Sequence, residues 1–204
     1  MRKVFKSVWF KCISVLLVII CFAGGLLAVL NDLLYVSPET RTARAMQKIY
    51  GEKTEYSTVI DVDSLDENLN SPLSYDFDDK GNKGLINKLY KISNGDYVFL
   101  TVGENGFKGG TVSLWIKVVN YNGTFFIDKV ILEGYTKQTL MSMLKNSFFE
   151  RFKLTDVAKE YNDGNLFYAK GESGLLNPVS GATKSATATC NAVNCVIRYL
   201  GENQ

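Results

Sequence analysis

Four consecutive residues near the C-terminal end, Ser180-Gly181-Ala182-Thr183, combine two hydroxyls with a glycine just ahead of a helix-patterned run. A turn of this kind offers free backbone N–H groups at the helix start and a glycine over which a ligand can approach closely. Its natural guest is an anion, a phosphate above all. The plainer reading of the same residues is a capped helix start, with Ser180 or Thr183 as the cap. At the level of these four residues both readings stand.

Other chemistry is scarce. The chain has no histidine, which removes the commonest general base, the commonest zinc and haem ligand, and any Ser-His or Cys-His nucleophile pair. A hydroxyl nucleophile would need Lys184 or Lys170 as its base, and no Ser-x-x-Lys spacing frames Ser180. Of the four cysteines, Cys12 and Cys21 lie in an apolar run and Cys190 and Cys195 in the last helical segment. A spacing of five sets the latter pair about 140° apart on a helix, too divergent for a disulfide or a shared metal. All four read as small packing residues.

The elements that must position the Ser180–Thr183 turn begin with a span. Cys12 to Leu30 carries no charge and no strongly polar residue beyond Ser14. At helical rise it covers about 28 Å, enough for a hydrocarbon core. Trp9 and Phe10 flank one end and Tyr35 the other, where aromatic belts belong. Arg2, Lys3, Lys6 and Lys11 give the first eleven residues a charge of +4; since the whole chain carries +2, the rest carries −2. The positive-inside rule then puts the N-terminus in the cytoplasm and the following domain outside, in a single-pass cell-membrane protein. The rival, a cleavable signal peptide, would have a shorter apolar region and a small-x-small site. Val18-Ile19-Ile20 ahead of Cys21 does not suit a lipoprotein site. The net acidity past residue 11, with lysines alternating among acids, argues against a nucleic-acid partner.

Ser37-Pro38-Glu39 reads as N-cap, first-turn proline and first-turn acid, with Gly51 as the stop. Residues 31–55 thus form a connecting helix, and residues 56–204 the extracytoplasmic domain. Residues 62–82 read as surface loop. Strand-like runs follow at Leu85–Ile92, Tyr97–Val102, Thr111–Val119 and Thr124–Leu132, with Asn94-Gly95 and Asn122-Gly123 as hairpin turns. Alternation is clean in Val112, Leu114, Ile116 and Val118, and Trp115 breaks the polar side. Two helices are predicted after the strands, over Thr139–Phe152 and Thr183–Leu200. The expected fold is α+β: an N-terminal transmembrane helix, then one domain with an antiparallel sheet and packed helices.

With these elements in order, the chain resembles the FMN-binding domain family, which includes the flavin-bearing, membrane-anchored subunits of the Rnf electron-transport complex and of the sodium-pumping NADH:quinone reductase. Members have one N-terminal span, an extracytoplasmic α+β domain, and FMN joined through its phosphate to the threonine of an Asp-x-x-Ser/Thr-Gly-Ala-Thr motif. Here the motif stands as Asn177-Pro178-Val179-Ser180-Gly181-Ala182-Thr183. A second block, Gly106-Phe107-Lys108-Gly109-Gly110, is similar to the family's glycine-rich Gly-Tyr-x-Gly segment. Gln138-Thr139-Leu140-Met141-Ser142 stands at the place of its Glu-Thr-Pro-Gly-Leu-Gly loop, keeping only the threonine.

The resemblance implies covalent FMN at Thr183, with Ser180, Gly181 and Ala182 forming the phosphate turn. Thr139, Leu140 and Met141 become candidates for ring contacts, against the plainer reading that Leu140 and Met141 pack in the core. Lys184 is either an added cation or a solvated lysine, and Trp115 either stacks on a flavin or fills the sheet. The implied partners are other membrane subunits of a redox complex, a flavin transferase for maturation, and membrane lipid. The implied function is an electron-relaying flavoprotein subunit of an Rnf/Nqr-like ion-translocating complex; the alternative is a cofactor-free membrane-anchored binding or assembly module of the same fold. Flavin redox needs no protein acid or base, so the missing histidines are no obstacle. Asn177 in place of the motif's aspartate removes a charge that the transferase is expected to read.

Overall fold

The computed structural model describes residues 8–51, 54–164, 166–167 and 181–203, in two units, one ending at Arg44 and the other beginning at Ala45. Helix α1, Val8–Leu34, contains a predominantly apolar stretch from Trp9 to Leu34, broken only near its ends by Lys11, Asn31 and Asp32 and by Ser14. Its length at helical rise is about 39 Å, enough to cross a hydrocarbon core with some tilt, and its apolar side chains are exposed all round. Helix α2, Pro38–Tyr50, starts as its sequence dictates: the Ser37 hydroxyl accepts from the Thr40 N–H at 3.3 Å, and Pro38 opens the first turn. Gly51, at φ +79°, ends it in the left-handed conformation that glycine adopts without cost.

The second unit is α+β. Six antiparallel strands form one sheet: β1 (Tyr56–Asp61), β2 (Leu73–Asp76), β3 (Lys83–Ile92), β4 (Tyr97–Gly103), β5 (Val112–Tyr121) and β6 (Thr124–Tyr135). The order is β1-β3-β4-β5-β6, with β2 also on β3. The β5–β6 turn has Asn122 at φ +53° and Gly123 at φ +90°, the geometry an Asn-Gly hairpin selects. β2 falls inside the region 62–82 expected to be loop. It is four residues long, and its alternation, half-buried at Leu73 and Tyr75 only, is too short to stand out.

Both faces of the sheet are covered. Leu89, Phe99 and Ile116 lie opposite one another across the strands on one face, in a core completed by helix α5, Thr183–Glu202. Trp115, Tyr90 and Val98 lie on the other face and form a second core with Ala45, Met46 and Ile49 of α2. Trp115 therefore does not interrupt a wet face; it belongs to a second dry one.

Where one helix was expected over Thr139–Phe152, the chain makes a 3-10 turn at Met141–Met143, a short helix α3 (Asn146–Phe149) and a further 3-10 turn at Glu150–Phe152. The backbone is extended at Lys145, where ψ is 167°. This break lets the chain return along β6, where the Leu154 N–H donates to the Ile127 carbonyl at 2.8 Å and the Ile127 N–H to Thr155 at 3.1 Å. Tertiary pairing overrides the helical spacing; of the apolar face that spacing predicted, Met141, Leu144, Phe148 and Phe152 are buried, whereas Leu140 is exposed. A short helix α4, Val157–Asn162, follows, capped by the Asp156 carboxylate; its Tyr161 ring packs on Gly201 of α5.

Candidate functional site

The site is built where α5 meets the sheet, and two glycines set how close that meeting is. A Cβ on Gly103 would run into the Ala188 carbonyl oxygen and lie 2.6 Å from the Ala192 nitrogen; one on Gly84 would strike the Cys195 sulfur and lie 2.9 Å from the Asn191 carbonyl oxygen. The helix backbone thus rests almost directly on β3 and β4. Ala186, Ala188 and Ala192 permit the same approach from the helix side. Polar clamps fix the helix lengthwise. Asn194 donates to the Phe167 carbonyl at 3.0 Å and accepts from its N–H at 2.8 Å, and Asn191 donates to the Glu104 carbonyl at 2.9 Å.

This seating aims the first turn of α5 at two loops. Gln138 is the meeting point. Its Oε1 accepts from the Ser185 hydroxyl at 2.9 Å and from the Phe107 N–H at 3.1 Å, while its Nε2 donates to the Thr136 carbonyl at 3.1 Å. Three segments far apart in sequence are joined through one buried amide: the glycine-rich loop 106–110, the connection after β6, and α5. On the adjoining side, Lys184 donates to Asn105 Oδ1 at 3.2 Å, and Asn105 donates to Asn82 Oδ1 at 2.8 Å.

Gly181 stands at φ +82°, the left-handed region. An added Cβ would meet only the end of the Met143 side chain, at 3.4 Å from Cε, so conformation rather than crowding calls for glycine here. The helix cap is Ala182, which supplies no side-chain hydrogen bond; Thr183 is the first helical residue, so it is not the cap. Among the described residues none takes up the Thr183 hydroxyl, and none caps the N–H groups of this turn by a side chain. Those features suit an anion: donors that no described side chain caps, the positive end of a twenty-residue helix and a permissive glycine. Ser180 and the Asn177-Pro178-Val179 stretch lie outside the described residues, as does Lys170.

The predicted ring-contact residues divide. Met141 is buried at 3% exposure and belongs to the core, whereas Thr139 and Leu140 are exposed. Met143, which sequence reasoning did not single out, is the neighbour of Gly181 and is 41% exposed. Trp115 is buried on the opposite face, its indole donating to Glu133 at 3.0 Å, and takes no part. Lys184 is exposed and tied to Asn105. Gln138 and Ser185 were also missed. Their signal was a polar residue in an apolar stretch, Ser185 facing inward on a helix, but only the fold shows that they face each other.

A groove of about 510 Å³ runs beside β6, between Val130, Leu132 and Tyr135 on one wall and Met141, Leu144 and Phe149 on the other. It includes no residue of α5 or of the glycine-rich loop. The cysteines in α5 are inert: burial pushes the Cys190 thiol up to about 12 and raises that of Cys195 further. Among the described residues no cluster of His, Cys, Asp and Glu is arranged to hold a metal. No protein-family model matches the chain, and no characterised protein or solved structure matches it either.

Proposed function

We propose that this chain is a membrane-anchored flavoprotein subunit, with FMN held by a phosphoester to Thr183, that relays electrons on the outer side of the membrane within an Rnf/Nqr-like ion-translocating complex. The observation that carries the reading is the junction at Gln138. The segments that resemble the FMN-binding family, 106–110, 138–142 and 181–183, are separated by tens of residues, and the fold gathers them at one helix end. A chance match to a short motif gives no reason for that gathering.

In this reading the flavin ring supplies the electron chemistry. The protein's own groups do the rest. The Thr183 hydroxyl would hold the FMN phosphate as an ester, one water being released overall for each ester formed. The first-turn N–H groups of α5 and its positive dipole end face the phosphate charge. Gly181 keeps the approach clear, and the exposed Leu140 and Met143 side chains offer apolar surface nearby. A covalent tether suits a domain outside the cell, where lost cofactor is not readily replaced. The apolar stretch of α1 anchors the chain, and the basic residues ahead of it orient the domain outward.

The test is to express the full chain with and without a flavin transferase and measure intact mass and in-gel fluorescence. The reading expects a gain equal to FMN less one water, on a peptide containing Thr183, that disappears in Thr183→Val. Asn177→Asp should raise the labelled fraction. A reporter fused after Gln204 should be active only outside the cytoplasm. If neither the wild type nor Asn177→Asp is labelled and free FMN fails to bind, the cofactor-free binding module takes its place.

A further inference from the structure

Gln138 is 6% exposed and uses both ends of its amide on three different segments. The glycines around it are shaped to it. A Cβ on Gly106 would collide with the Gln138 amide nitrogen, and one on Gly110 would lie 2.7 Å from the same atom and run into the Thr136 carbonyl oxygen. Loop and amide therefore specify each other: the loop is glycine because the amide fills the place of its side chains. The Ser185 hydroxyl, 2% exposed, closes the triangle from the third residue of α5.

We infer that Gln138 is a positioning residue that locks the glycine-rich loop to the first turn of α5, and that its neutrality keeps that turn receptive to an anion. The first part stands on the hydrogen bonds alone; the second rests on the flavin reading proposed above. The chemistry needs an amide. Its oxygen receives two donors and its nitrogen supplies the one donor that the Thr136 carbonyl has from a side chain. A carboxylate would accept the same two donors but strand the Thr136 carbonyl. It would also place a full negative charge one hydrogen bond from the first turn of α5, where it would occupy the dipole end itself and repel a phosphate. An alanine would release both segments and leave a polar cavity among groups that have lost their partner.

Two measurements on the full chain in lipid nanodiscs, prepared without flavin transferase, test this. The first is hydrogen exchange in the flavin-free protein. Gln138→Ala should speed exchange about tenfold both at the Phe107 amide and in the first turn of α5, as expected when about 1.4 kcal/mol of local protection is lost, with the Ile197–Leu200 end unchanged. Faster exchange at Phe107 alone would overturn the lock. The second compares non-covalent binding of FMN with that of riboflavin, which lacks the phosphate. Gln138→Glu should lower the ratio of FMN to riboflavin affinity about tenfold, the size of one unit of electrostatic shift. An equal loss for both ligands, or none for either, would overturn the anion role and leave Gln138 a structural clamp. If the wild type binds neither ligand, the anion role falls and the exchange result alone decides the lock, while the flavin reading is decided by the transferase labelling described above.

Discussion

The two faces of the sheet are closed by helices in opposite ways. On one, α5 lies nearly backbone to backbone on β3 and β4, with glycine and alanine at the contact and an aliphatic and aromatic core around it. On the other, the second half of α2 is held off by large side chains, Trp115, Tyr90 and Met46, with charges set among them. There Lys88, 6% exposed, bonds Asp61 at 2.8 Å and Asp63 at 2.7 Å, and the Tyr90 hydroxyl donates to Asp61 at 2.8 Å. Lys117 sits 4.5 Å above the Tyr50 ring. Direct backbone seating leaves a helix little freedom to slide, whereas long side chains can repack. The candidate site lies at the end of the helix that cannot slide. A phosphate turn needs fixed N–H groups, and the α5 face is the one able to fix them.

The contrast is broken most directly by adding one methyl group to the seated face. Gly103→Ala places a Cβ into the Ala188 carbonyl oxygen, and backbone on both sides cannot yield without moving α5. We expect a loss of more than about 3 kcal/mol, beyond ordinary overpacking, read as a lowered urea midpoint or as failure to fold. A loss under about 1 kcal/mol would show that α5 shifts freely and that the two faces do not differ in kind.

Lys88→Met probes the other face, where repacking should soften the damage to about 2 kcal/mol, the scale of stranding charged hydrogen-bond acceptors. Its pH dependence is the sharper test. Burial pushes the Asp61 carboxyl up, but the hydrogen bonds from Lys88, Tyr90 and the Asp63 N–H outweigh it and hold the group below its ordinary value. Burial pushes Lys88 down, and its two carboxylates outweigh that and raise it. A depressed acid stabilises above its unfolded value and loses this as pH falls through the folded one. A raised lysine stabilises below its unfolded value and loses this as pH rises through the folded one. The gap between wild type and Lys88→Met should thus be widest from about pH 5 to pH 10 and close on both sides. A gap independent of pH would mean that the lysine stem, not its charge, does the stabilising.

The two faces were not equally legible in the sequence. Period-two alternation located the inner face of β5 and the hairpins, because Asn-Gly turns and alternating Val112, Leu114 and Ile116 have few other uses. The second face was hidden. Trp115 looks like an exception on a wet surface, and Lys117 like an ordinary member of it, until α2 is known to cover them, and α2 shows only a narrow apolar stripe of Ala45, Met46 and Ile49. The broken segment after β6 kept all of its predicted buried positions but Leu140 while losing its helix, since apolar spacing records what is buried better than the local conformation that buries it. For the site, Gly181 and Thr183 were visible as a motif. Gln138 was visible only as a departure from one, because its role depends on three segments meeting in space.

Ser185 and Thr183 are two residues apart on α5 and carry the comparison down to single hydroxyls. Ser185 is buried and donates to Gln138. Ser185→Ala leaves that amide oxygen with one donor in place of two, so we expect a loss of about 1 kcal/mol, seen in thermal unfolding of the flavin-free chain. A change near zero would mean that the Phe107 N–H alone satisfies Gln138 and that the first turn is held by other means.

Thr183 should behave differently, and the difference is the point of its position. It is half-buried, its carbonyl accepts from the Thr187 hydroxyl at 2.9 Å, and its own hydroxyl hydrogen-bonds to none of the described residues. Thr183→Val retains the branched shape and the backbone bond and removes only that hydroxyl, so flavin-free stability should change by less than about 0.5 kcal/mol. A hydroxyl with no hydrogen-bond partner among the described residues, at the start of a helix held this firmly, is available for something else. A loss as large as that of Ser185→Ala would show instead that the Thr183 hydroxyl is a structural cap, which would restore the plain reading of the Ser180–Thr183 turn and remove the main physical support for an anion there.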